Sequence, residues 1–298
     1  MFLTPAALQG MFTGYSMAFN KGFEGPETLW SRIAMKTQST GSDETYGWLK
    51  TMPGMREWIG PRVINNVAAS SYTITNRSFE ETVGVPRDDV EDDTYGLHTP
   101  LFTELGRVAA EQPDRLVFDL LNAGFNTGCY DDQFFFDVDH PVEDELGVRQ
   151  SVSNVQAGSG EAWYLLDTSR AVRPLVYQER RSFGTLIRKD QPEDDNVFFN
   201  KELIYGCDGR GNAGFGLWQL AFGSKATLSA ANYAAARSAM MKMTGDRGRK
   251  LGIRPTVLVV GPDNESAGRK LLNSEYASGG ESNEWKGTAE LIVTPWVH

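Results

Sequence analysis

Thr256-Val257-Leu258-Val259-Val260-Gly261-Pro262-Asp263 is the stretch on which the fold turns. Its first five residues are apolar or β-branched without interruption, the composition of a buried strand. Gly261 stops that strand. Pro262 suits the first position of a helix, and Asp263 stands where the positive helix end favours a carboxylate. The helix carries Ala267, Leu271 and Leu272 on one side, and a polar loop from Asn273 to Asn283 follows. Glu284 to Trp296, centred on Ala289-Glu290-Leu291-Ile292-Val293, then predicts a returning strand. Arg247 to Val297 thus holds a whole strand, helix and strand, with no residue set suited to catalysis.

A chain of 298 residues, 40% hydrophobic and 11% aromatic, has enough apolar material for one large domain or two ordinary ones. The net charge of −10 argues against a basic nucleic-acid-binding face as the main activity. Cys129 and Cys207 lie far apart without CxxC or Cys/His spacing, so a reducing compartment is expected, with neither a disulfide framework nor a zinc site. The start Met1-Phe2-Leu3-Thr4-Pro5 lacks the basic and apolar regions of a secretory signal, and no apolar run is long enough to span a bilayer.

Outward from the deciding stretch, the order of elements is α+β. Leu8, Met11, Phe12, Tyr15 and Phe19 recur at spacings of three and four, which predicts an amphipathic N-terminal helix. No local segment partners it, so its apolar face is expected to meet another part of the chain or another subunit. Between Thr40 and Val90, Trp48 and Trp58 sit among polar and turn residues, and Tyr72-Thr73-Ile74-Thr75 alternates like one arm of an extended hairpin. Thr99-Pro100 and then Pro113 open two helical stretches that join into one long, bent helix ending at Gly124. Strands are expected at Phe134-Phe135-Phe136, Ala162 to Leu166, Leu175 to Tyr177, Glu202 to Tyr205 and Leu217 to Ala221. Ser229 caps an alanine-rich helix through Met243.

Candidate chemistry is sparse. Asp137, Asp139 and His140 are the best metal or acid/base group, since two carboxylates and an imidazole fall within four residues, near Asp131 and Asp132. His140-Pro141 reads more simply as a turn after an aromatic strand, and the expectation is no metal and no cofactor. Gly209-Arg210-Gly211-Asn212-Ala213-Gly214 has the letters of the dinucleotide fingerprint. Strand-like Phe215 to Leu220 follows it, so no helix N-terminus is offered to phosphate and a loop is expected. Basic residues cluster at Arg170 to Lys189 and Arg237 to Arg254, acidic ones at Asp88 to Asp93 and Glu193 to Asp195. Pairing of these runs between subunits is one expectation, a solvated surface the other. A metal-dependent hydrolase using Asp137, Asp139 and His140, and a tail or connector component, are the alternatives to a shell-forming protein.

Several stretches, in order, resemble the major head subunits of Mu-like tailed bacteriophages. They are GMFTGYSMAFNKGF (10–23), YGWLKTMPGMREWIGPR (46–62), FFFDVDHPV (134–142), AWYLLDTSRAVRPLVYQERR (162–181), RGNAGFGLWQLAFGS (210–224), GIRPTVLVVGPDNESAGRKLLNS (252–274) and NEWKGTAELIVTPWV (283–297). The resemblance covers essentially the whole chain. It implies the tailed-phage capsid fold of the Hong Kong 97 type, a non-enzymatic major capsid protein of the virion, and assembly in the host bacterial cytoplasm. Residues 1–39 would be an N-terminal arm and 40–90 an extended β-hairpin loop over an adjacent subunit. Residues 91–160 would be a peripheral domain with a long spine helix, 161–288 mainly an axial domain with a mixed sheet and helices, and 289–298 a return strand. Pentamers and hexamers would tile an icosahedral shell enclosing double-stranded DNA without sequence-specific binding.

Leu8, Phe12, Tyr15, Phe19, Trp48, Trp58, Tyr72 and Ile74 are then the candidate inter-subunit contacts. Implied partners are a separate scaffolding protein or maturation protease, since Met1 leads straight into the arm, with a portal protein and a decoration protein. No membrane is involved. Lys50 is the only lysine in the proposed loop, and no lysine–asparagine crosslink is expected.

Overall fold

The computed structural model describes residues 4–50, 72–92, 95–277 and 279–298, apart from the side chains of Trp48, Lys50 and Tyr95. The deciding stretch forms the strand Val257–Val260, in which all four residues are buried. Full burial of such side chains stabilises by roughly 1.5–3 kcal/mol each, which accounts for their central place. This strand lies in a five-stranded sheet ordered Glu290–Val293, Val257–Val260, Trp163–Leu166, Ala221–Ser224 and Val155–Gln156. The first and last pairs are parallel and the middle two antiparallel, giving the mixed sheet. Pro262 begins a short 3-10 turn that leads into the helix Glu265–Leu272. The returning strand is confined to Glu290–Val293, shorter than the run from Glu284.

A second five-stranded sheet is organised by the 14-residue strand Glu202–Phe215. One edge of that strand pairs with Arg77–Pro86 along its length from Glu202 to Gly211. The other edge is shared: Leu186–Lys189 pairs with Ile204 to Cys207, and Leu175–Arg181 with Arg210 to Phe215. Ala34–Gln38 adds a parallel strand beside Leu175–Arg181. The fingerprint-like glycines lie inside this long strand, which corrects the expected loop. The reason is lateral crowding: a Cβ on Gly209 would stand 2.3 Å from the Phe183 ring, and one on Gly214 2.1 Å from Ile74 Cδ1.

The long helix Thr99–Ala123 is continuous, with Pro113 inside it. The two stretches join into one helix as expected, with Gly124 as its C-cap. Next to the proline, the Asp114 carboxylate accepts the backbone N–H groups of Leu29 (2.9 Å) and Trp30 (2.6 Å), tying the incoming chain to the helix. The N-terminal helix Pro5–Glu24, capped by the Thr4 hydroxyl, packs along it. Gly22 and Gly106 make the close crossing possible, since a Cβ on either would stand 1.9–2.0 Å from a backbone oxygen of the other helix. Tyr15 stacks on Phe102 at 3.9 Å, and Tyr205 of the long strand meets both rings edge-on at 5.3 Å.

Two further expectations change. Phe134 to Phe136 is not a strand but a bent segment held by an isolated bridge between Gly128 and Phe134. The run from Leu217 becomes a 3-10 turn, Trp218–Leu220, before the strand Ala221–Ser224. The alanine-rich helix Ala230–Lys242 starts as read, with the Ser229 hydroxyl accepting from Asn232 N–H at 3.2 Å.

Candidate functional site

Polar contacts fix the geometry of the described segments 39–46 and 72–76, within the expected loop and at its start. Asp43–Thr45 and Thr73–Thr75 pair antiparallel at its base. Below them Gln178, fully buried, accepts from the Tyr46 hydroxyl (2.8 Å) and donates to Asn76 Oδ1 (2.8 Å) and the Ile74 carbonyl (3.0 Å). Asn76 in turn donates to Ser39 Oγ (2.8 Å) and the Gly41 carbonyl (3.1 Å). Glu44 accepts the Thr40 and Gly41 N–H groups and the Ser39 hydroxyl. The Thr40 N–H first, then Ser39 and Gly41, hold its carboxyl below the usual value. A buried, satisfied network of this kind costs free energy when any one member is removed.

Several of the candidate inter-subunit residues make contacts within their own chain. Leu8, Tyr15 and Phe19 are at most 2% exposed, covered by the long helix and the long strand. Phe12 is half-buried beneath the Arg188 guanidinium, 4.6 Å from its ring centre. Ile74 is buried, and the Tyr72 hydroxyl accepts the Phe215 N–H at 2.7 Å. Trp58 and the side chain of Trp48 lie outside the described residues.

Other apolar side chains face outward. Leu146 at a hairpin tip is 88% exposed, Leu97 78%, and the adjacent Phe198 and Phe199 72% and 73%. The Asp144 carboxylate shapes the hairpin tip by accepting the Leu146 and Val148 N–H groups, both at 2.9 Å. Phe198 and Phe199, adjacent phenylalanines just after the acidic run Glu193 to Asp195, are a local signal that the sequence reading left unused.

Asp137, Asp139 and His140 do not converge. The Asp137 carboxylate accepts the N–H groups of Phe134 (3.2 Å) and Val138 (2.7 Å), and Asp139 accepts from Ser151. His140 is fully buried and stacks on Trp218 at 3.8 Å. It contacts Asp131 Oδ2 through Nδ1 (2.8 Å) and Asn154 Oδ1 through Nε2 (3.2 Å). The Cys129 thiol donates to Asp131 Oδ1 at 3.0 Å. Cys129, Asp131 and His140 are thus brought together in place of the expected trio. Burial pulls the Asp131 carboxyl upward, but the His140 and Cys129 hydrogen bonds outweigh it and hold it low. Burial and the Asp131 charge push the Cys129 thiol well up, so it is not an activated nucleophile.

The charged runs pair locally. Arg170 lies 3.6 Å from Asp167, Arg188 3.5 Å from Asp190, and Arg237 donates to the carbonyls of Pro255 (3.0 Å) and Thr288 (3.1 Å). Within the acidic run Glu91 pairs with Arg87 at 2.7 Å and Asp89 with His98 at 3.3 Å. A cavity of about 360 Å³ is lined by Arg77, Arg115, Glu80, Glu81, Asp119 and Cys207, whose thiol is pushed up by burial first and then by the Glu81 and Glu80 charges, the opposite of an activated nucleophile. Among the described residues no helix is long and apolar enough to cross a membrane.

The whole chain has known counterparts. The family model described as Mu-like prophage major head subunit gpT matches residues 8–297. The major capsid protein of Escherichia phage Mu is 42% identical over 306 residues, spanning all of both chains. The Mu-like prophage FluMu major head subunit of Haemophilus influenzae is 41% identical over 280 residues, covering 92% of this chain and 91% of its own. Among solved structures, the bacteriophage JBD30 procapsid subunit superposes with TM-score 0.87 and 41% identity, over 99% of this chain and all of that one. The JBD30 capsid subunit gives TM-score 0.76 at 31% identity, over the full length of both. The α+β body is therefore the phage capsid fold of the Hong Kong 97 type. The chain belongs to the Mu-like prophage major head subunit family, structural proteins of the phage capsid and not enzymes.

Proposed function

We propose that copies of this chain form pentamers and hexamers that tile an icosahedral shell around packaged double-stranded DNA, enclosed without sequence-specific contact. The observation that carries this reading is the end-to-end correspondence with the Mu major capsid protein and the JBD30 procapsid subunit. Physical support comes from Leu97, Leu146, Phe198 and Phe199, large apolar side chains exposed at separate places in the chain. A closed shell needs such patches on several faces, because each subunit meets different neighbours. The net charge of −10 favours enclosure of DNA over adhesion to it.

In this reading residues 40–90 reach an adjacent subunit from the root held by Gln178 and Asn76. Residues 91–160 and 161–288 supply the peripheral and mainly axial bodies, and 289–298 the return strand. Residues 1–39, named as an arm, serve their own subunit through the helix packed on Thr99–Ala123. Shells assemble in the bacterial cytoplasm with a separate scaffolding protein or maturation protease and receive a portal. The JBD30 capsid is decorated with minor capsid protein trimers, which supports a comparable decoration partner here. Expression alone and together with a scaffolding protein, followed by electron microscopy, tests the reading: closed shells are expected. A chain that stays monomeric at high concentration in both cases, without shells, rings or tubes, counts against it.

A further inference from the structure

We propose that Cys129, Asp131 and His140 form a binding site for one divalent transition-metal ion, zinc by the chemistry of its donors. One ligand atom from each residue lies within 4.8 Å of the others, and thiolate, carboxylate and imidazole are the donors that tetrahedral zinc takes.

The hydrogen-bond pattern carries the argument. Asn154 Nδ2 donates to the carbonyl oxygens of Phe135 (2.8 Å), Ala221 (3.3 Å) and Trp218 (3.4 Å), so reversing the amide would set oxygen against oxygen. Its Oδ1 is therefore the atom facing His140 Nε2 at 3.2 Å, and it also accepts the Asp137 N–H at 2.9 Å. The hydrogen then belongs on Nε2. A neutral ring in that tautomer aims the Nδ1 lone pair at Asp131 Oδ2, 2.8 Å away. Two lone pairs at that separation require a positive charge between them, either a proton or a metal ion. The Cys129 thiol directs a second proton at Asp131 Oδ1.

Two protons thus lie between the three side chains, one on each Asp131 oxygen's contact. A divalent ion replaces both, which leave to solvent. The thiol and the proton-sharing Asp131–His140 pair become thiolate, carboxylate and neutral imidazole around a doubly charged ion, so the loss of two protons is balanced by the ion's charge. The exchange removes the difficulty of a bare buried thiolate, because a coordinating ion deprotonates the thiol outright. The surroundings are those of a metal-bound histidine: its other N–H is donated to a pinned oxygen, and the ring is held flat against Trp218 at an interplanar angle of 8°. The Asp131 side chain retains 9% exposure, which admits solvent as the fourth ligand. The loop geometry is fixed independently: Cys129 N–H donates to the Gln133 carbonyl at 2.8 Å, and Asp132 adopts φ of 70°. Bound metal would fasten the segment after the long helix to the mixed sheet through Asn154 and Trp218.

The test uses the full, tag-free chain, loaded with zinc or cobalt(II) and dialysed against metal-free buffer. One zinc per chain is expected by mass spectrometry, and the cobalt form should show a thiolate-to-cobalt charge-transfer band. Cys129→Ser should abolish the band, and Asp131→Asn, which keeps the shape of the carboxylate, should weaken binding at least tenfold. Absence of retained metal and of the band in the unmodified chain overturns the proposal, a result that needs no variant to fold. Metal retention unchanged in a folded Cys129→Ser chain overturns it equally.

Discussion

Replacing Gly106 by alanine is expected to destabilise the subunit, although alanine is the better helix former. The new Cβ would stand 2.0 Å from the Phe19 carbonyl oxygen and 2.9 Å from the Phe23 nitrogen, against 3.4 Å for ordinary contact. Both are backbone atoms of the facing helix, so no side-chain rotation relieves the clash and the helices must part by about 1 Å. A gap of roughly that size forfeits a quarter to a half of each dispersion contact it opens, beginning with the Tyr15–Phe102 stack. Overpacking of this kind costs about 1–3 kcal/mol, and the helix preference for alanine returns only about 1 kcal/mol of a larger gross cost. Gly22→Ala should behave alike, with its Cβ 1.9 Å from the Thr103 carbonyl oxygen. Gly10 and Gly14 lie in the same helix with nothing within 4 Å, so alanine there should stabilise by up to about 1 kcal/mol. Urea unfolding of the unassembled subunit, followed by tryptophan fluorescence and circular dichroism, measures all four. Stability of Gly106→Ala equal to or above that of the unmodified chain refutes the close crossing, and so does an equal loss at Gly14.

Gln178→Ala should cost about 1–3 kcal/mol, because it removes a buried acceptor of the Tyr46 hydroxyl and the donor to Asn76 Oδ1 and the Ile74 carbonyl, and hydrogen exchange should quicken at 39–46 and 72–76; unchanged exchange there would break the anchoring argument. The lowered Glu44 carboxyl contributes stability that is fully present above the ordinary value of 4.5 and is lost as pH falls through the lower folded value. Side-chain carboxyl NMR should therefore place its titration below 4.5, and titration at or above that value contradicts the network. Phe198→Ser with Phe199→Ser should change subunit stability by no more than about 0.5 kcal/mol, since both rings face solvent, while lowering the yield of shells. Normal shell yield would remove this pair from the contact surface.

What the sequence made legible follows from how local each signal is. The run Val257–Val260, the Ser229 cap and the apolar stripe of the first helix are each decided by residues within a few positions, and each forms as read. The glycines at 209–214 were misread because what demands them arrives from elsewhere in the chain, Phe183 from the loop after Leu175–Arg181 and Ile74 from the strand Thr73–Thr75. The first helix lacked a partner in the sequence because its partner, Thr99–Ala123, lies beyond the excursion. His140 was read together with Asp137 and Asp139, whose carboxylates do not approach it. Its neighbours in sequence turn to backbone amides and to Ser151, while Asp131, Asn154 and Trp218 reach it through the fold. The Gln178 network was invisible for the same reason, its bonds spanning 102 to 132 residues.

The most direct measurement of the central claim is a cryo-electron-microscopy reconstruction of particles assembled from this chain. The account predicts a closed shell with five-fold and six-fold clusters, each subunit keeping Pro5–Glu24 packed on its own Thr99–Ala123 and residues 40–90 laid over a neighbour. A shell in which residues 40–90 contact only their own subunit, or in which the first helix is donated to another, would contradict it.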